Sequence, residues 1–165
     1  MIFVGGIQTM RDNGQVTNRE VLMKDKDILV SGTDTGGRIQ FTNKTFVDIS
    51  GFAEDELVGA PHNIIRHRDM PKEAFANLWE TIKSGLPWQG LVKNRSKNGD
   101  HYWVRANVTP VIENGAVSGY LSIRTKPSEA DKKRAEQVYA DLRNGKAQNI
   151  GLEQGEIVET GPVAR

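Results

Sequence analysis

Three strand-like stretches joined by two Asn-Gly pairs constrain this chain more than anything else in it. Gln89 to Arg95 (QGLVKNR) reads as a strand, and the turn signal Asn98-Gly99 follows it. His101 to Ile112 (HYWVRANVTPVI) then alternates, with Tyr102, Val104, Ala106 and Val108 opposite His101, Trp103, Arg105 and Asn107. Glu113-Asn114-Gly115 supplies the second turn. Val117 to Thr125 (VSGYLSIRT) is the third strand, with Tyr120, Ser122 and Arg124 opposite Leu121 and Ile123.

The upstream half supplies two more strands and the helices. Asp27 to Thr33 (DILVSGT) ends at Gly36-Gly37, and Arg38 to Thr42 (RIQFT) alternates after that turn. Asn43 can cap a helix that runs through Ser50 and stops at Gly51, and Ala53 to Leu57 gives one more turn before Gly59. From Pro71 the apolar spacing becomes helical, through Ala74, Phe75, Leu78, Trp79 and Ile82 to Gly85. Two early and three late strands predict an α+β fold, a five-stranded antiparallel sheet with helices on one face and a pocket between the layers. Residues 27–127 form that domain. Residues 1–26 read as a leader or N-terminal cap, Met1 to Thr17 being flexible, and 146–165 as a glycine-spotted tail with a strand hint at Glu156-Ile157-Val158. Residues 128–145 read as an exit helix capped by Ser128, whose narrow stripe of Ala135, Val138 and Leu142 predicts a docking or coiled-coil face.

Between the two helical stretches lies APHNIIRHRDMP, Ala60 to Pro71, with two histidines, two arginines, an aspartate and an asparagine around a single apolar pair, Ile64-Ile65. Its polar groups must meet water, each other or a ligand. Arg66 can fork onto a diphosphate, with His67 and Asp69 fixing that geometry. An Arg–Asp pair in a solvated loop accounts for the same residues equally well.

The chain has 165 residues, a formal net charge of +1 and no cysteine. That balance gives no support to nucleic-acid binding through bulk charge. The missing thiols exclude disulfides and thiolate chemistry, and fit a cytoplasmic placement. No run is long enough to span a membrane, and MIFVGGIQTM lacks the basic start of a signal peptide. No phosphate loop, dinucleotide fingerprint or nucleophile elbow is present, so no enzyme and no catalytic residue is expected. The three histidines stand among polar neighbours, which argues against metal or haem ligation.

The element order resembles the PAS fold. FTNKTF, GAPHNIIRHRDMPKEAF, LPWQGLVKNRSKNGDHYWVRANVTPV and SGYLSIRT are similar to the PAS domain of the bacterial aerotaxis receptor family over roughly 27–145. The resemblance implies non-covalent FAD, redox or oxygen (energy-state) sensing, and relay of the flavin redox state to a chemotaxis signalling module. It carries Arg66, His67 and Asp69 over as cofactor-binding residues, with Asn43, Trp79, Trp88, Asn94 and Asn107 lining or bordering the flavin. It also implies a partner, a chemoreceptor signalling or HAMP-type module in cis or in trans, and a PAS-type homodimer. A more distant likeness to flavin-binding LOV domains sets His62 where those carry a photoreactive cysteine, so their thiol adduct is excluded. The alternatives to FAD are a haem-binding gas sensor and a cofactor-free interaction module.

Overall fold

The structure, a computed structural model, describes residues 13–160. The first part of the expected leader and the last five residues of the tail lie outside the described residues. The chain runs β1 (Leu29–Thr33), β2 (Ile39–Thr42), α1 (Lys44–Ser50), α2 (Glu54–Leu57), a 3-10 turn (His62–Ile65) and α3 (Lys72–Lys83). It continues through β3 (Trp88–Arg95), β4 (His101–Glu113), β5 (Ala116–Thr125) and α4 (Glu129–Arg143) to a terminal hairpin of β6 (Ile150–Glu153) and β7 (Glu156–Glu159).

Five strands form one antiparallel sheet in the order β2-β1-β5-β4-β3. The Asn114-Gly115 pair, with φ of 53° and 81°, makes the tight turn between β4 and β5. The β3–β4 connection is longer: Ser96 donates to the Asp100 carbonyl and Gly99 to that of Ser96. Register then decides the faces. Asn94 stands opposite Tyr102, Val92 opposite Val104, Ala106 opposite Arg124 and Val108 opposite Ser122. These residues, with Leu29 and Ser31 of β1, make the inner face. Phe46, Leu57, Ile64, Ile65 and Ile82 from the helical layer close over it.

The expected starts and stops hold at α1 and α4. Asn43 Oδ1 accepts from Phe46 N, and Gly51 closes α1 in the left-handed region; Ser128 caps α4 by accepting from Asp131 N. The destination of α4 corrects an expectation. Its stripe meets the chain's own sheet: Ala135 and Tyr139 are buried against Leu91, Trp103 and Met70 on the outer face, with Val138 and Leu142 packed beside them. Tyr139 stacks on Trp103 at 6.3 Å, and its hydroxyl donates to the Leu91 carbonyl at 2.7 Å.

The described part of the leader is tied down as well. His101 N donates to the Arg19 carbonyl, Val21 N to that of His101, and Thr17 N to that of Gly99. Backbone bonds of this kind carry no side-chain period, which is why the sequence pattern is silent there.

Candidate functional site

The inner face carries a cation that no anion among the described residues pairs with. Arg124 is 2% exposed, and its guanidinium donates to Ser122 Oγ (2.7 Å) and Ser31 Oγ (2.9 Å). It lies 3.2 Å from His62 Nε2 and stacks over Phe46 at 4.5 Å, and no carboxylate among the described residues pairs with it. Arginine can only donate, so His62 Nε2 must accept, which assigns the imidazole proton to Nδ1. Burial, reinforced by the charge of Arg124, lowers His62 to about 3, so the ring is neutral at ordinary pH. Burial also lowers Arg124, to about 10, and leaves it charged.

Among the described residues several buried polar atoms have no partner: Arg124 Nε, the Tyr102 hydroxyl and Asn94 Nδ2 on the inner face, Arg66 Nε and Asn63 Oδ1 in the loop before α3, and Thr42 Oγ1 and His101 Nδ1 elsewhere. An orphaned buried donor or acceptor costs on the order of 1–3 kcal/mol, and several in one place need an explanation. A ligand edge carrying hydrogen-bond acceptors would answer the three on the inner face.

The loop before α3 is built differently. Arg66 stacks over Phe75 at 4.3 Å, donates to the Met70 carbonyl, and its backbone bridges to that of Asn94. Burial lowers it to about 10. His67 is buried and accepts at Nδ1 from Asp69 N, while burial and the nearby Lys93 lower it to about 4. Burial pushes the Asp69 carboxyl up, but the hydrogen bond and charge of Lys93 at 2.7 Å outweigh that and hold it below the usual range.

The sequence profile of the PAS fold matches residues 39–124. The chain belongs to the PAS fold family. The chain is 45% identical over 152 residues to the aerotaxis receptor of Escherichia coli K12, a match that covers 92% of this chain and 30% of that receptor. The bacterioopsin transcriptional activator of Halobacterium salinarum is 30% identical over 98 residues, 59% of this chain and 14% of that protein. The chain therefore spans less than a third of the receptor's length. Among solved structures, a light-oxygen-voltage domain probed with a flavin analogue superposes with a TM-score of 0.60 at 18% identity, covering 66% of this chain and 84% of that domain. That likeness speaks to the fold.

The PAS domain distributes the eight candidates unevenly. Asn94 and Arg66 meet at the backbone and share the rim of the orphaned atoms, with His67 and Asp69 adjoining. Trp79 packs edge-on against Tyr120 at 5.8 Å, within the core layer. Trp88 is 2% exposed, and its Nε1 donates to Asn77 Oδ1 at 2.8 Å. Asn43 spends its amide on the α1 cap and β1, accepting from Phe46 N and Val30 N and donating to the Ile28 carbonyl. Asn107 stands opposite Gln89 and Ile123, on the face shared with Trp103 and away from Asn94. The structure brings neither Asn43 nor Asn107 to the orphaned cluster.

Tyr102, Ser31 and Ser122 were not singled out from the sequence, and Arg124 and His62 stood outside the candidate set. One signal was present. Alternation sets Arg124 on one face with Tyr120 and Ser122, and an arginine on a core face has to be matched by something.

Among the described residues no helix is long and apolar enough to cross a membrane.

Proposed function

We propose that this PAS domain binds FAD non-covalently between the helical layer and the inner face of the sheet, and serves as the redox-sensing module of an aerotaxis-type signalling protein. The observation that carries the reading is Arg124, a buried cation that no carboxylate among the described residues pairs with, on the same face as unpartnered Tyr102 and Asn94 atoms. The likeness to the aerotaxis receptor and to a light-oxygen-voltage domain probed with a flavin analogue supports it.

The residues present fit the donor and acceptor pattern of an isoalloxazine edge. Arg124, Tyr102 and Asn94 would hold the ring edge; Arg66 would take the diphosphate, with His67 and Asp69 fixing the loop. Trp79 and Trp88 would border the site. Phe46, which now lies on the Arg124 guanidinium, is the side chain a planar ring would displace. When bound, the flavin supplies a reversible two-electron couple. The chain's part is electrostatic: Arg124 keeps a fixed positive charge at the ring edge, and neutral His62 can accept from it without adding charge. Asn94 offers both a donor and an acceptor, so its amide can reorient when the edge it faces changes character. A change worth 1–3 kcal/mol shifts a two-state equilibrium roughly ten- to a hundred-fold. A HAMP-type or chemoreceptor signalling module, in cis or in trans, is the partner that would read this shift, in a cytoplasmic setting.

The test is an absorption spectrum of freshly purified protein before and after dithionite. The expected result is a yellow chain whose visible bands bleach on reduction. A Soret band would establish the haem alternative, and a colourless chain that takes up no added FAD would establish the interaction module. Arg124→Met is expected to weaken FAD retention more than tenfold, and undiminished retention would remove Arg124 from the site. Asn94→Ala is expected to keep flavin while losing the redox-dependent response.

A further inference from the structure

The terminal hairpin does not fit a passive tail. Its two strands are four residues each, and of residues 150–159 only Gly155 is buried. A two-stranded ribbon of that length is marginal by itself in water, so its docking has to come from elsewhere. Asn77 of α3 supplies it. Asn77 Oδ1 accepts from both Trp88 Nε1 and Gly155 N, each at 2.8 Å, while Asn77 Nδ2 donates to the Leu152 carbonyl at 3.1 Å. One amide thus joins a core tryptophan to both the tip and the first strand of the hairpin.

The fit around Trp88 is close on two sides. A Cβ on Gly155 would fall 2.8 Å from the Trp88 indole and 2.1 Å from the Gln89 carbonyl oxygen; a Cβ on Gly90 would fall 2.7 Å from the same indole. The hairpin tip can therefore approach only because position 155 has no side chain, and the left-handed backbone there (φ +90°) favours glycine independently. Gln89 N donates to the Gln154 carbonyl, and Gln154 Nε2 to that of Pro87, so the tip also caps the free edge of β3. The remaining polar tie is the Arg105–Glu156 ion pair, exposed enough to contribute little. The strap is thus held by the Asn77 hub and the Trp88 ring, with the Gln154 bonds to the β3 edge and Leu152 against the outer cluster as further ties.

We propose that the β6–β7 hairpin is a releasable strap whose docking is set by the Trp88 indole through Asn77, so that a displacement of Trp88 uncovers the β3 edge at Gln89. Trp88 lies in the core cluster with Tyr102 and Ala106, next to the site described above. The use of the strap as an output rests on the flavin reading; the latch itself does not.

The test is amide hydrogen exchange on the full 165-residue chain, read at Gly155 and Gln89, with the Trp88 indole N–H followed by NMR. Trp88→Phe keeps a ring but drops the N–H, and Asn77→Ala removes the hub while leaving the tryptophan. Each is expected to lower protection at Gly155 and Gln89 at least tenfold while the amides of β4 keep theirs. The double variant is expected to lose no more than the larger single loss, because both break one unit. Gly155→Ala is expected to give the same release. Protection within twofold of the parent in Asn77→Ala, or additive losses in the double variant, would overturn the latch. In FAD-loaded protein, dithionite is expected to move the indole and Gly155 signals together, and bleaching with both unmoved would end the output role. A chain that takes up no flavin yet releases the strap in Trp88→Phe would sink the sensory reading and keep the latch.

Discussion

Two polar clusters flank the same sheet, and they are built on opposite terms. On the outer side, at the loop before α3, Lys93 is paired with Asp69, His67 Nδ1 accepts from Asp69 N, and Arg143 reaches the Asp69 carbonyl. On the inner side, Arg124 has hydroxyls, an imidazole and a phenyl ring around it but no carboxylate, and Tyr102 and Asn94 keep unpartnered atoms. The first cluster has paired its charges within the fold, although Arg66 Nε and Asn63 Oδ1 of the same loop keep no partner. The second holds capacity in reserve, and reserve under burial marks a place for a ligand more reliably than charge alone.

The sharpest way to break this contrast is to remove one charge from each side. Asp69→Ala strands the buried Lys93 ammonium and is expected to cost roughly 2–3 kcal/mol, less than a fully buried pair would lose because the Asp69 side chain is 41% exposed. Arg124→Met in flavin-free protein removes a buried, unpaired cation and is expected to leave stability unchanged or raise it by about 1 kcal/mol. Urea denaturation of both variants decides it, and a large loss for Arg124→Met would mean that its charge is already satisfied.

Acidification probes the inner side next. Folded His62 stays neutral down to about 3, whereas the unfolded chain takes up that proton near 6.5. Between these values the unfolded state binds more protons, so the contribution is complete above 6.5 and is lost as pH falls. By pH 5 the loss is about 2 kcal/mol from His62, and His67, lowered to about 4, adds a share of the same sign. His62→Gln is expected to remove the first share from the urea midpoints measured between pH 7 and pH 5. An unchanged slope would show that His62 is protonated or exposed in the folded chain.

What the sequence disclosed follows the same division. Strand alternation and the Asn-Gly turns were legible because each residue reports its own face, and Asn43 and Ser128 announce their helices by local bonds. The docking of α4 was hidden because its contact includes Tyr139, a residue that an apolar stripe omits and that settles by donating to Leu91, 48 positions away. The terminal hairpin was hidden more fully: its docking uses Asn77, far away in the chain, and the sequence shows only one strand hint, at Glu156-Ile157-Val158. At the site, the RHRD motif drew attention by its charge, yet much of that charge is committed to the fold. Arg124 drew little, since its meaning depends on which face of β5 is covered.

The smallest expected effect is also the cleanest, because it compares one chemistry in two settings. Tyr102 and Tyr139 are equally buried, at 0% and 1%, and burial pushes both phenols well above their ordinary range. Tyr139 donates to the Leu91 carbonyl, so Tyr139→Phe leaves that oxygen without its partner and is expected to cost about 1 kcal/mol. The Tyr102 hydroxyl has no partner, so Tyr102→Phe in the flavin-free chain removes a desolvated group and is expected to be neutral or slightly stabilising. With flavin bound the second sign should reverse, since the hydroxyl would then have an acceptor to lose. Urea midpoints of the two variants, with and without added FAD, read both signs; a loss for Tyr102→Phe in the absence of flavin would show that the inner face is already satisfied and has nothing left to offer a ligand.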